Sequence, residues 1–183
     1  LFYLLVIKMY SKEFIIPQDV TLEISGNKVK AKGTKGELEK QLVVSKGITL
    51  EKIDGKVKIS SESDRKNVRA VIGSTIAHIR NMVDGVTKGY VYKLKVVYSH
   101  FPVTVKIEGK KILIQNFLGE RTPRIAKVVG KTEVKIEGTD LTLSGLDVDD
   151  VSRSAANIEQ AARISGRDRR VFQDGVWITS KGE

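Results

Sequence analysis

Two histidines, a serine beside one of them, three clustered aspartates and four closely spaced arginines are the side chains of this 183-residue chain placed to do chemistry. Proton transfer needs an acid or base within hydrogen-bond reach of the group it serves. His78 falls on the flank of an apolar helical stripe, the place of a hydrogen-bonded structural histidine. His100 lies in Tyr98, Ser99, His100, Phe101, Pro102, a short turn between two strands. Adjacent side chains on an extended segment point apart, so Ser99 and His100 are not expected to form a dyad. Asp147, Asp149 and Asp150 lack the ligand spacing and the glycine of a calcium loop, and a role at a helix start accounts for them. The absence of cysteine excludes a disulfide framework, a zinc ribbon and a thiol nucleophile. Neither a GxxxxGK[ST] phosphate loop nor a GxGxxG fingerprint occurs. The residues point to binding rather than catalysis, with no metal, cofactor or small-molecule substrate.

Binding chemistry is better represented. Arg163, Arg167, Arg169 and Arg170 stand against Asp168 alone, directly after a predicted helix, and Phe172 and Trp177 follow closely. Guanidinium forks match phosphates, and aromatics beside them stack on an unpaired base or a ribose. The competing reading of such a cluster is a solvated face or a set of ion pairs. A second group, Lys88, Lys93, Lys95, Lys106, Lys110 and Lys111 against Glu108, projects partly from one sheet face, where Lys93 and Lys95 alternate with Leu94 and Val96. Lysines on an edge strand also block unwanted strand pairing, a reading equal in weight to RNA contact. The chain has 32 Lys plus Arg against 22 Asp plus Glu, a formal charge of +10. That surplus attracts polyanions over about a Debye length, so RNA, DNA and acidic membrane surfaces are the partners to weigh.

The elements that position these groups come from a duplication. Residues 20–37 lie over residues 103–120 at a constant offset of 83, with seven of eighteen positions identical, among them Gly26/Gly109 and Gly36/Gly119. Average usage gives about one such identity by chance. The offset persists where Lys52, Ile53, Asp54 and Gly55 lie over Lys135, Ile136, Glu137 and Gly138. Each copy reads as short strands and one helix. In the first, Val20, Leu22 and Ile24 alternate with polar residues before a turn at Ser25, Gly26 and Asn27, and Val29 and Ala31 alternate with Lys28, Lys30 and Lys32. A second hairpin turns at Asp54 and Gly55. The second copy repeats these devices at Glu108, Gly109, Lys110 and at Glu137 to Asp140.

Ser63 or Asp64 is expected to cap the first helix, whose stripe runs Val68, Val71, Ile72, Thr75, Ile76, Ile79, Val83, with Gly85 as its end. The second starts after the three aspartates, buries Val151, Ala155, Ile158 and Ala162, and stops at Gly166. The fold class is therefore α+β: two tandem duplicated domains, each a mainly antiparallel β-sheet covered by one α-helix. Residues 10–86 form the first repeat and 87–183 the second, with a basic C-terminal tail. Residues 1–9 are an extension. Its apolar run Leu1 to Ile7 is too short for a bilayer and lacks a signal peptide's basic segment and cleavage site, and Met9 is an alternative start. Nothing later reads as a membrane span, which gives a cytoplasmic expectation.

The copies differ at one place. Glu37, Leu38, Glu39 and Lys40 form a simple strand, whereas Glu120, Arg121, Thr122, Pro123 and Arg124 read as a basic loop after an exposed Phe117 and Leu118, because proline disfavours a central strand. This makes the second copy the expected main binding surface.

Lys95 to Pro102, then Asn116, Phe117, Leu118, Gly119, Glu120, and above all Ala155 to Gln160 continuing through Arg167, Asp168, Arg169, Arg170, Val171, Phe172, Gln173, Asp174, Gly175, resemble the large-subunit ribosomal protein six family, in its archaeal and eukaryotic branch. The likeness runs from about Met9 to the end, and Trp177 replaces the branch's usual tyrosine. It implies a non-catalytic constituent of the large ribosomal subunit that binds its ribosomal RNA near the stalk base and translation-factor site, mainly through the second domain, beside other large-subunit proteins. The RNA-binding residues expected are Arg163, Arg167, Arg169, Arg170, Phe172, Trp177, Asn116, Arg121, Arg124, Lys93, Lys95, His100 and Lys111. The alternative is a basic adaptor that binds protein through sheet edges and the Phe117/Leu118 patch.

Overall fold

The computed structural model describes residues 10–42, 47–53 and 55–182. The extension at Leu1 to Ile7, Met9 and the turn residue Asp54 lie outside the described residues. The chain divides into two compact units, with the division between Lys88 and Gly89.

The first unit contains β1 (Tyr10–Ile15), β2 (Thr21–Ser25), β3 (Lys28–Gly33), β4 (Gly36–Gln41), β5 (Ile48–Ile53), β6 (Lys56–Ser61) and α1 (Lys66–Thr87). Its strands form two antiparallel sheets, in the orders β2-β3-β4 and β1-β6-β5. The period-2 pattern of Leu22, Val29, Ala31, Val57 and Ile59 turns these residues inward, and each is essentially inaccessible. Ile72, Thr75, Ile76, Ile79, Met82, Val83 and Val86 recur at helical spacing and cover them from α1. The helix passes through Gly85, which is buried. Because Val86 continues the stripe, the stop comes instead at Gly89, with φ +73°. Neither Ser63 nor Asp64 caps the start. The cap is Arg65, without a side-chain bond, and the Asp64 carboxylate instead accepts both Nε and Nη2 of Arg69 at 2.6 Å.

The β3–β4 turn holds the other end of α1. Lys35 donates its backbone N–H to Val86 O (2.9 Å), Thr34 Oγ1 donates to Thr87 O (3.2 Å), and the Lys35 ammonium reaches Lys88 O. A helix leaves its last carbonyls without internal partners, and this turn satisfies them. The approach is close: a Cβ on Gly33 would stand 2.7 Å from Val86 Cγ2.

The second unit contains β7 (Tyr90–Val97), β8 (Thr104–Glu108), β9 (Lys111–Gln115), a single 3-10 turn (Phe117–Gly119), β10 (Arg124–Lys127), β11 (Glu133–Glu137), β12 (Asp140–Gly145), α2 (Val148–Ala161) and β13 (Gly175–Lys181). Its sheets run β8-β9-β10 and β11-β12-β7-β13. Strand for strand, β8-β9-β10 repeats β2-β3-β4 and β11-β12-β7 repeats β5-β6-β1, while β13 is an addition that pairs with β7 and leaves it an interior strand. Asp147 caps α2 by accepting from Asp149 N (3.0 Å), and Val151, Ala155 and Ile158 are buried beneath it. The helix ends at Ala161, well before Gly166.

Two expectations about the copies' difference are corrected. Residues 120–123 form the loop read from the sequence, but the strand is not lost: β10 follows at Arg124 and pairs with β9 from Arg124 opposite Ile114, in a register three residues later than a simple repeat would give. Nor are Phe117 and Leu118 exposed, at 1% and 9% of their surface. Asn116 and Leu118 adopt left-handed backbone, φ 57° and 50°, and this double bend turns both apolar side chains inward. An interaction patch at Phe117/Leu118 is thereby removed.

Gly33→Ala should destabilise the first unit by about 1–3 kcal/mol through overpacking against Val86. Gly73→Ala, on α1 with nothing within 4 Å of the added Cβ, should stabilise it by about 0.5–1 kcal/mol. Urea denaturation of the two variants measures the contrast, and equal shifts would refute it.

Candidate nucleic-acid interface

Three loops converge at one end of the second unit: residues 98–103 after β7, 116–123 after β9, and 162–174 after α2. Their strands dictate the meeting, since Val97 pairs with Gly175, Thr104 with Gln115 and Arg124 with Ile114. Asn116 Nδ2 donates to Pro102 O (3.0 Å), and the Phe101 ring packs on Gly119.

Arg124 ties the second loop to the third. Its Nη1 donates to Ala161 O (3.1 Å) and Arg163 O (2.8 Å), its Nε and Nη2 take the two Glu120 oxygens at 2.8 and 2.6 Å, and its guanidinium lies 4.3 Å from the Phe117 ring centre. The hydrogen bond from Arg124 holds the Glu120 carboxyl below the usual carboxylate range. Of the residues singled out in the sequence, Arg124 and Asn116 thus spend their donors inside the unit.

Asp174 ties the first loop to the third. It is 1% exposed, and its Oδ1 accepts from Ser99 N (3.1 Å) and Ser99 Oγ (2.9 Å) and lies 3.4 Å from His100 Nδ1. Burial pushes its carboxyl up, but the hydrogen bonds from Ser99 and His100 outweigh this and leave it below the usual range. Here the sequence reading needs correction. The chain bends at Ser99 to Phe101 instead of running extended, so the Ser99 and His100 side chains do meet, with Ser99 Oγ 3.0 Å from His100 Nδ1. The arrangement is still not a nucleophile's. In a catalytic triad the histidine stands between serine and carboxylate, whereas here one Asp174 oxygen takes both. The cluster is a lock between loops. Asp174 was invisible in sequence because its partners lie 75 and 74 positions away.

On this frame the cations are displayed. His100 stacks on Phe172 with ring centres 4.6 Å apart, and the Arg167 guanidinium lies 4.8 Å from the Phe172 centre. Arg170 holds Asp168 at 3.0 Å while its own side chain stays 90% exposed. The guanidinium groups of Arg121, Arg163 and Arg169 make no hydrogen bond or ion pair among the described residues, and all three residues are exposed. Lys93 and Lys95 point outward from β7, with Trp177 of β13 directly across from Lys95. Because β7 is interior, their lysines are not edge guards. Lys111 stands at the far end of β9 from the loops, opposite Glu108 and Lys127, and the structure does not bring it to the cluster. His78 lies half-buried on the flank of α1. Among the described residues no group of three or more His, Asp or Glu is placed to hold a metal ion, and no helix is long and apolar enough to cross a membrane.

The family model described as ribosomal protein L6 matches residues 16–89 and again 101–175, one match on each copy. The chain belongs to the ribosomal protein L6 family. Among its relatives, the large ribosomal subunit protein uL6 of Methanocella arvoryzae is 46% identical over 171 residues, 93% of this chain and 96% of the relative. The protein of that name from Ignicoccus hospitalis is 44% identical over 91% of each chain, and that from Methanosarcina mazei 42% identical over 96% of this chain and 99% of its own. The L6 family match recurs as the fold does, in two tandem α+β copies.

Two outcomes test the frame. Since the Asp174 carboxyl is lower in the folded state than in the unfolded chain, its contribution is full above the unfolded value of about 3.9 and is lost as pH falls through the folded value. Asp174→Asn should therefore destabilise the second unit at neutral pH, and the gap from the parent should close in acid; a gap constant from pH 7 to 3, measured by denaturant titration, would contradict this. Arg124→Lys, which cannot serve four acceptors, should cost about 1.5–3 kcal/mol. The measurement is amide exchange at residues 161–165, which should rise selectively.

Proposed function

We propose that this chain is a structural, non-catalytic constituent of the large ribosomal subunit that binds its ribosomal RNA through the second unit, near the stalk base and the translation-factor site, and stabilises the RNA's tertiary structure. The curated relatives carry the name of a large-subunit protein. That supports the same assembly, cytoplasmic ribosomes, and neighbouring large-subunit proteins as further partners.

The observation that carries the reading is the unequal use of similar charge: 16 basic against 10 acidic residues up to Lys88, and 16 against 12 from Gly89. The first unit's lysines are largely spent: Lys30 and Lys32 hold Glu37 at 3.1 and 2.7 Å, and Lys28 lies 3.9 Å from Glu39 across β3 and β4. The second unit presents Arg121, Arg163, Arg167, Arg169 and Arg170 on locked loops beside Phe172. Fixed guanidinium forks suit phosphates spaced along a backbone, and A-form RNA offers phosphates and ribose hydroxyls across a shallow minor groove while hiding its base edges. Recognition on these terms reads shape, and counterion release makes it salt-dependent.

Binding of the full chain to its own large-subunit ribosomal RNA, with transfer RNA and duplex DNA as competitors, should survive the competitors and weaken steeply with salt. Arg167→Ala with Arg170→Ala should flatten the log–log salt slope by about 1.4–1.8, at roughly 0.7–0.9 for each phosphate left without its cation. Lys30→Ala with Lys32→Ala should leave it unchanged. An unchanged slope in the arginine variant, or equal displacement by every competitor, would overturn the proposal.

A further inference from the structure

A cleft of about 820 Å³ opens in the second unit between the end of α2, the loop 162–174 and β13. Its volume lies in the roughly 300–1,000 Å³ range of sites that enclose a small molecule. None of the interactions described above fills it. Ile164 and Val176 give it a buried apolar floor, and Phe172 and Trp177 form aromatic walls. Arg163, Arg169 and Arg170 line it against one carboxylate of α2, Glu159. Asp174, buried and bonded to Ser99 through Oδ1, closes the cleft beside Gly175.

Trp177 is held for use. It is the only tryptophan of the chain and 39% exposed. Its indole lies down on the strand over Gly175, so close that a Cβ there would stand 2.9 Å from Nε1. Glycine makes that pose available. An aromatic plate, an apolar floor and guanidinium groups at the mouth match the parts of one nucleotide: a flat base and a charged phosphate.

We propose that this cleft receives a single unstacked nucleotide of the RNA, its base against Trp177 and its phosphate at Arg163 and Arg169. The proposal rests on the RNA-binding reading above and adds to it a pocket for an extruded base. Rigid loops preform the pocket, so the ordering cost falls on the RNA.

The lone tryptophan reports occupancy directly. The full-length chain is titrated with single-stranded RNA hexamers of each base, with a hexamer carrying central abasic sites, with ribose 5-phosphate and with a glutamate hexapeptide, while Trp177 emission is followed. The base-bearing hexamers should change the emission saturably, and the abasic hexamer, the sugar phosphate and the peptide should not. In binding to large-subunit ribosomal RNA, Trp177→Ala should weaken affinity about tenfold at an unchanged salt slope, and Trp177→Tyr should restore it. Emission unmoved by every hexamer, or moved equally by the abasic one or the peptide, overturns the pocket. So does Trp177→Ala binding the ribosomal RNA as the parent does; in that outcome the salt-dependent RNA-binding reading stands. Failure of the parent to bind the ribosomal RNA overturns both.

Discussion

The guanidinium of Arg124 closing on the carbonyls of Ala161 and Arg163 is the interaction on which the second unit's surface depends. An α-helix ends with carbonyls that lack internal partners, and whatever satisfies them also decides where the next segment begins. In the first copy the β3–β4 turn shares this task among the Lys35 backbone N–H, the Thr34 hydroxyl and the Lys35 ammonium, and the chain leaves α1 directly for the next unit. In the second copy a side chain performs it, and the same group grips Glu120 and covers Phe117. One planar fork with donors in fixed directions can serve these acceptors together; an ammonium cannot. The result is that the arginine-bearing loop after α2 leaves from a defined point.

Asp174 completes that placement from the other side. Burying a carboxylate is costly unless it is well hydrogen-bonded, and Ser99 and His100 supply the bonds at Oδ1. The loop 162–174 is therefore pinned at both ends, by Arg124 at its start and by Asp174 at its finish. Pinning lowers the entropy lost when the exposed arginines engage a polyanion, so positions far from the phosphates contribute to affinity through order rather than charge.

Much of this architecture is legible in the sequence because duplication writes it twice. The hairpins at Gly26 and Gly109, both apolar stripes and the carboxylates at the start of α2 follow from periodicity and turn chemistry. Even β1 has a trace there: the second copy's strand at 90–97, moved back by 83, falls on residues 7–14, close to the observed Tyr10–Ile15. What escaped the sequence is what depends on partners remote in the chain. Phe117 and Leu118 read as exposed because a loop is assumed to face water, and only the left-handed turns at Asn116 and Leu118 bury them. Gly85 reads as a helix stop, but the groove between the sheets accepts two more residues of stripe. The Ser99, His100, Asp174 lock needs a bend and a partner 75 positions away, and no local pattern announces either.

Both units carry a surplus of positive charge and use it differently. On β3 and β4, lysine and glutamate face each other at strand spacing, a geometry that neutralises the face locally and leaves little field for a partner. The second copy has no such ladder, because Leu113 and Gln115 stand on β9 where Lys30 and Lys32 stand on β3, and Lys111 faces Lys127 across β10. Beside the lysines of its strands, it places Arg121, Arg163, Arg167, Arg169 and Arg170 on loops, where nothing across a sheet opposes them. The change from lysine to arginine goes with this, since a loop held by its own packing can aim a fork and a solvated strand ladder has no need of one. Replacement of the β3 lysines, a longer loop before β10 and one side-chain clamp thus separate a directed cationic surface from a self-neutralised sheet face, while the core beneath keeps the shared pairing of strands and helix.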